Sequence, residues 1–397
     1  MAIRRSVGLA FGLLATTALV AAGCSSSDSK VSSGGSSTSA GATGGTGGGS
    51  NCPKDAKIGF FGALTGSDAA LGINERNGVK VALSQYKTAS GCEVKLEEYD
   101  SQGDPAQAPA LASKAVSDSK VVAIVGPAFS GESKQANPIF NEAGLPIITP
   151  SATNATLSKN NWKIFHRAVA NDDLQGPAAA KFILGKGAKK VAVVDDSSEY
   201  GKPLADTVRA KLKEGGASVD VNEAIDPKGS DYSSTVNKVK AANVDAVFYG
   251  GYYESAGRLM KQLRDGNVAA TFVAGDGSLD AKFVDSASGK GEGAVLLAPG
   301  FYTATDKAFI DDYKKVNSGA EPGLYSVEGF DAANHLLAAL KDGKTTRADI
   351  NTYLGSTAYK GLLKNYQYQA DGELAGGGDI IVHEVRSGKI EVVGPVK

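Results

Sequence analysis

The sequence predicts an α/β protein built as two doubly wound, three-layer lobes. Short apolar runs rich in Val, Ile, Phe and Ala alternate without pause with segments of helical spacing from Lys57 onward. The alternation starts afresh near Ala170. The stretch that carries it exceeds the usual size of one domain, which makes two lobes the default. Glycine is abundant, with 50 residues in all, as a fold with many tight strand-to-helix turns requires.

Residues 57–63 form the first apolar run and read as a strand. Residues 71–86 read as a helix, because Val79, Ala82, Leu83 and Tyr86 recur at helical spacing. Residues 93–99 are a strand, 106–117 a helix and 121–125 a third strand; the unit around residues 146–149 completes the first lobe. After Ala170, residues 174–184 form a helix and 190–195 a strand. Residues 202–214 and 233–242 are helices, 245–249 a strand, 254–265 a helix and 271–274 a strand. Helices over 309–316 and 327–340 and a late strand over 378–385 follow. Two such lobes leave a cleft between them, the favoured place for a ligand.

The N-terminus reads as an export signal. Arg4 and Arg5 are followed by no charged residue until Asp28, and the apolar segment 7–20 is shorter than the roughly 20 residues that span a bilayer. The run Leu19-Val20-Ala21-Ala22-Gly23-Cys24 resembles the lipobox of bacterial lipoproteins, with Ala21 where Leu is usual. That resemblance implies removal of residues 1–23 and a lipid on Cys24; an ordinary signal peptide with an incidental cysteine is the alternative. Residues 25–50 are nearly all Ser, Gly, Thr and Ala, with no apolar surface to bury. Residues 24–52 therefore form a tether with a reach of roughly 25–30 Å, and the folded body is expected on the outer face of the cytoplasmic membrane.

Composition narrows the function classes. With 42 basic and 43 acidic residues, nothing suggests a nucleic-acid surface. Three isolated histidines (His166, His335, His383) make a zinc site an unpromising reading. Cys52 and Cys92 precede the first and second strands, whose N-terminal ends lie side by side if the strands are parallel neighbours. A Cys52–Cys92 disulfide is then geometrically reasonable; two free thiols or a metal pair are the alternatives. No Gly-x-Ser-x-Gly, His-Glu-x-x-His or Gly-x-Gly-x-x-Gly pattern is present, and no cofactor is implied. Asp195-Asp196 suits a cation, although a turn after a strand is the commoner meaning of such a pair.

Residues 121–156 carry the strongest functional signal. An apolar run ends at Gly126-Pro127, Ser130-Gly131 opens a helix, and a second run ends in Thr149-Pro150-Ser151-Ala152-Thr153. Both loops leave the C-terminal ends of neighbouring parallel strands, where open α/β sheets bind ligands. Ser130, Ser151 and Thr153, with Phe129 and Ala152 beside them, suit a small carboxylate, since free N–H groups at a helix start attract anions. Turn and cap residues are the plainer reading of the same hydroxyls.

Taken together, IGFFGALTG, EEYDSQGDPAQA, TPSATNATL, DSSEYGKPLA, FYGGYYES and GFDAANHLLAAL stand in an order and spacing that resemble the leucine/isoleucine/valine-binding group of type I periplasmic binding proteins. The resemblance runs from about Lys57 to Glu373. It implies two lobes joined by three hinge strands, near Ala170, Pro299-Gly300 and Gly361–Lys364, closing on one small ligand. The lobes would comprise residues 53–170 with 300–362, and 171–299 with 363–397. It implies that Ser130 grips the α-carboxylate of an amino acid, with Ser151 and Thr153 completing the contacts from that lobe. Tyr200 and Tyr252 match aromatic residues of the opposite lobe, and Asp276 matches the acid that pairs with the α-ammonium. The family's usual Glu is Asp here, and Leu71 stands where a bulky aromatic is usual. A monomer serving an ABC importer permease follows from the family. Relatives that bind amides, urea or aromatic acids, or that act as sensors, supply the alternative.

Overall fold

The computed structural model describes residues 52–300 and 306–397; the leader, Cys24 and residues 25–51 lie outside the described residues. The chain begins with β1 (Lys57–Gly62), α1 (Ala69–Ser90), β2 (Lys95–Asp100), α2 (Ala108–Ser117), β3 (Val121–Val125), α3 (Ser130–Glu142), β4 (Ile147–Thr149) and β5 (Phe165–Arg167). These five strands form one sheet, ordered β2-β1-β3-β4-β5, with every pairing parallel. All five residues of β3 are buried, the signature of a parallel strand covered on both faces. The side chains of Cys52 and Cys92 are joined, Sγ to Sγ at 2.04 Å, next to the paired starts of β1 and β2.

The second lobe follows as α4 (Asp172–Gly185), β6 (Lys190–Asp195), α5 (Gly201–Glu214), β7 (Ser218–Ala224), α6 (Ser233–Ala242), β8 (Ala246–Gly250), α7 (Tyr253–Asp265), β9 (Thr271–Ala274), α8 (Ala281–Ser286) and β10 (Val295–Ala298). The chain then returns to the first lobe with α9 (Lys307–Val316), α10 (Ser326–Lys341), α11 (Arg347–Ser356) and the short pair β11 (Tyr359–Lys360) and β12 (Asn365–Tyr366). It ends in the second sheet as the hairpin β13 (Ile381–Arg386) and β14 (Lys389–Pro395), giving the order β14-β13-β10-β9-β8-β6-β7. Among the described residues, no helix is long and apolar enough to cross a membrane.

Helix α10 lies directly on α1. A Cβ at Gly78 would fall 2.0 Å from the Ser326 carbonyl oxygen, and one at Gly329 would fall 2.4 Å from that of Glu75. Two glycines thus bring the helix backbones together. Val79, Val327, Leu336 and Leu340 then share one core with Ile58 and Phe60.

The sequence pattern misses several elements. β7 reads SVDVNEA and is half exposed at a sheet edge, so its alternation is polar. β5 buries His166 and Arg167, which no hydrophobic pattern flags. The last crossing also lies later than Gly361–Lys364. Tyr366, Tyr368 and Leu374 remain in the first lobe's core, and the chain reaches the second sheet only at Ile381. The earlier crossings fall between β5 and α4 and after β10.

Arg167 ties the first lobe together. Its guanidinium is fully buried and donates from Nη1 to the carbonyls of Ala152 (2.7 Å) and Asn154 (2.9 Å). Its Nε and Nη2 meet the two carboxylate oxygens of Glu373 at 3.1 and 2.6 Å. Burial opposes the charge on Glu373, but Arg167 outweighs it and holds the carboxyl below its ordinary range. Removing one partner of such a pair leaves an uncompensated buried charge. Glu373→Gln is therefore expected to destabilise the protein by about 3 kcal/mol, read as a shift in the urea midpoint. A loss below about 1 kcal/mol would show that Arg167 does not depend on this counter-charge.

Candidate ligand site

The loops after β3 and β4 leave the same sheet edge and are laced together. Ser130 opens α3, and its Oγ accepts from the backbone N–H of Asn154 at 3.2 Å, leaving its own proton available. Ser151 Oγ donates to the Ala128 carbonyl at 2.6 Å. Thr149 Oγ1 donates to the Pro127 carbonyl and accepts from the Ala152 N–H, at 2.7 and 3.0 Å. Arg167 holds the far side of the second loop.

The second lobe presents Tyr200, just before α5, Tyr252, just before α7, and Asp276, just after β9. An aromatic row crosses the cleft: Phe129 and Tyr252 have ring centroids 5.2 Å apart, and Tyr252 and Tyr200 are 5.3 Å apart. Leu71, Phe129, Ser130, Ser151, Tyr200, Tyr252 and Asp276 line one small cavity, together with Glu75, Ala128 and Gly277. Ala152 and Thr153 are not in the lining. Their loop is packed below it, with the Ala152 N–H engaged by Thr149 and the Thr153 hydroxyl next to the Asp172 carboxyl.

Asp276 is 4 % exposed and fully engaged. Its Oδ1 accepts from Tyr200 Oη (2.8 Å) and Gln175 Nε2 (2.7 Å), and its Oδ2 accepts from Tyr325 Oη (2.7 Å). Gln175 Nε2 also donates to Asp172 Oδ1 at 2.8 Å. Burial raises the Asp276 pKa against the pull of these three donors. Burial first, and the nearby Asp276 charge second, push Asp172 up to about 7. Tyr325 reaches Asp276 from the first lobe with φ at +65°, a left-handed conformation costly for a bulky residue.

Further bonds span the cleft. Tyr253 Oη donates to the Ser67 carbonyl (2.8 Å) and accepts from the Ala70 N–H (3.1 Å), so Tyr253 bridges the lobes besides packing in its own. Lys134 meets Glu199 at 2.7 Å, and Asn154 donates to the Glu199 carbonyl. The Asp195-Asp196 pair organises its turn, accepting from Ser197 N and Ser198 N, each at 2.9 Å. Among the described residues no His, Cys, Asp and Glu cluster could hold a metal ion. Sequence reasoning missed Glu75, Gln175 and Tyr325. Glu75 lies one helical turn beyond Leu71, a spacing that signals a shared face; Gln175 and Tyr325 carry no local signal.

Two α/β lobes meeting over a small cavity, with hydroxyls on one wall and a buried carboxylate on the other, define a bilobal receptor for a small solute. Residues 55–389 match the family described as periplasmic binding protein, and the chain belongs to that family. It is 32% identical over 325 residues to a Leu/Ile/Val-binding protein of Rhizobium johnstonii, covering 77% of this chain and 87% of that one. It is 30% identical over 342 residues to a leucine-specific-binding protein of Salmonella typhimurium, covering 80% and 92%. Among solved structures, it superposes on a branched-chain amino acid transporter substrate-binding protein from Streptococcus pneumoniae, in complex with isoleucine, with a TM-score of 0.78 and 28% identity. That match covers 86% of this chain and 99% of the other. The fold is that of type I periplasmic binding proteins.

The buried acids set the pH response of the protein. Burial is the chief cause that raises Glu132, Asp172 and Asp331 to about 7 each, whereas unfolded carboxyls titrate near 4. Between those values these acids bind more protons in the native state, which lowers stability as pH rises; His166, His335 and His383, lowered by burial to about 4 each, act oppositely up to about pH 6.5. The Tm of ligand-stripped protein is therefore expected to be higher near about pH 6.5 than near about pH 8. A Tm that rises across that window would show these carboxyls to be ionised in the native state.

Proposed function

We propose that this chain is the exported solute-binding component of an ABC importer, and that it binds a branched-chain α-amino acid between its lobes. The match between the cleft and a zwitterion supports this reading best. Ser130 and the N–H groups at the start of α3 suit a carboxylate. Asp276, with its three donors, suits an ammonium. Leu71, Ala128 and Phe129 leave the remaining wall apolar, as an aliphatic side chain requires. The relatives from Rhizobium, Salmonella and Streptococcus, a Leu/Ile/Val-binding protein, a leucine-specific-binding protein and a protein in complex with isoleucine, point the same way.

In this reading the lobes rotate about their crossings, and a ligand that touches both shifts the population to the closed form. The closed form, carried as a monomer on a lipid at Cys24, docks on a permease and performs no chemistry of its own. Tyr253, Tyr325 and the Phe129–Tyr252 contact are interactions that opening breaks. Ligands without an amine, such as an aromatic acid or an amide, give Asp276 no counter-charge, and for that reason the amino acid is preferred.

Asp276→Asn tests the assignment with little change of shape. Leucine affinity is expected to fall by about 100-fold or more, because a buried ammonium loses its partner, while the circular dichroism spectrum stays that of the parent. Undiminished affinity would place the ligand's charge elsewhere.

A further inference from the structure

Glu75 faces the cavity from α1 and has no part in the contacts described so far. The residue is 0 % exposed, and neither carboxyl oxygen has a hydrogen-bond partner. An ionised carboxylate left so is costly, and the group neutralises instead. The charges that act on it are those of Glu132 on α3 and Glu328 on α10, both acidic. Lys364 lies 3.5 Å from Glu328. Across the cavity stand Asp276, Tyr200 and Tyr252.

Ser151 is the polar neighbour of Glu75. Its single proton is directed at the Ala128 carbonyl at 2.6 Å, and its contact with Glu75 offsets the effect of burial only in part. The surroundings therefore favour the neutral acid, and burial lifts its pKa well above the ordinary carboxyl value. A neutral carboxyl carries one O–H that can donate. The partner it suits in this cavity is an acceptor on the bound solute.

We propose that Glu75 is a further ligand-binding residue, which takes up a proton as the lobes close and donates its O–H to the ligand carboxylate beside Ser130. The inference rests on the amino-acid reading of the cleft. The proton comes from solvent and returns there when the lobes open. With the lobes apart, the second-lobe wall of the cavity withdraws and Glu75 meets water, where a carboxyl is ionised at neutral pH. Binding is thus coupled to proton uptake, and Kd rises with pH by up to about tenfold per unit.

Calorimetric titration with leucine, in buffers of different ionisation enthalpy, reads this directly. Wild-type protein is expected to take up about one proton per leucine near neutral pH, with Kd rising from about pH 6 to about pH 8. Glu75→Gln supplies an amide N–H that does not titrate. It is expected to bind without that uptake, with a flatter pH profile, and more tightly than wild type at the alkaline end. Glu75→Leu removes the donor, and its Kd is expected to rise by about tenfold or more. Uptake absent in wild type, uptake persisting in Glu75→Gln, or unweakened binding by Glu75→Leu would overturn the role of Glu75 and leave the amino-acid reading standing. Wild-type protein that binds no amino acid at all would overturn both.

Discussion

The Asp276 carboxylate lies where the two lobes meet, and the cleft is arranged around that one charge. In a medium of low dielectric an isolated carboxylate would protonate or stay in water. Three donors counter that tendency, two from Tyr200 and Gln175 in the second lobe and one from Tyr325 of the first. Asp172, linked through Gln175, adds a second acid that its neighbour discourages from ionising. None of these groups is a cation. The site is therefore solvated by hydrogen bonds without a neighbouring cation, which is the basis for proposing a ligand that carries an ammonium.

The scaffold serves that requirement through stiff lobes and few crossings. Arg167 clamps the second binding loop to Glu373, and the glycine contact between α1 and α10 fixes the helix that carries Leu71 and Glu75. Each lobe then presents its wall of the cavity as a unit. The contacts that cross the cleft are polar and aromatic: Tyr253 on Ser67 and Ala70, Tyr325 on Asp276, Lys134 and Asn154 on Glu199, and Phe129 on Tyr252.

Much of this was legible in the sequence, for physical reasons. Strands such as Val121–Val125 and Ala246–Gly250 are covered on both faces and so are written as unbroken apolar runs. The loops after Val121–Val125 and Ile147–Thr149 single out Ser130 and Ser151 because open α/β sheets bind ligands outside such strand ends, and both residues line the cavity. The misses have causes too. Phe165–Arg167 spends two of its three positions on polar side chains whose partners are distant in sequence. Tyr325 reaches Asp276 only because the chain crosses back to the first lobe, and no window of local sequence records that. The resemblance implies a last crossing near Gly361–Lys364, whereas Tyr366, Tyr368 and Leu374 still pack in the first lobe's core as isolated anchors, which no local pattern records.

The central claim is that one cleft holds both charges of an amino acid at once. The most direct measurement is calorimetric titration of unfolded and refolded protein with leucine, leucinamide and 4-methylpentanoate, which share a side chain and differ only in their charged ends. Leucine alone should bind strongly. Loss of either charged group should leave heats indistinguishable from dilution. Binding of 4-methylpentanoate as tight as that of leucine would contradict the account, because Asp276 would then face no ammonium.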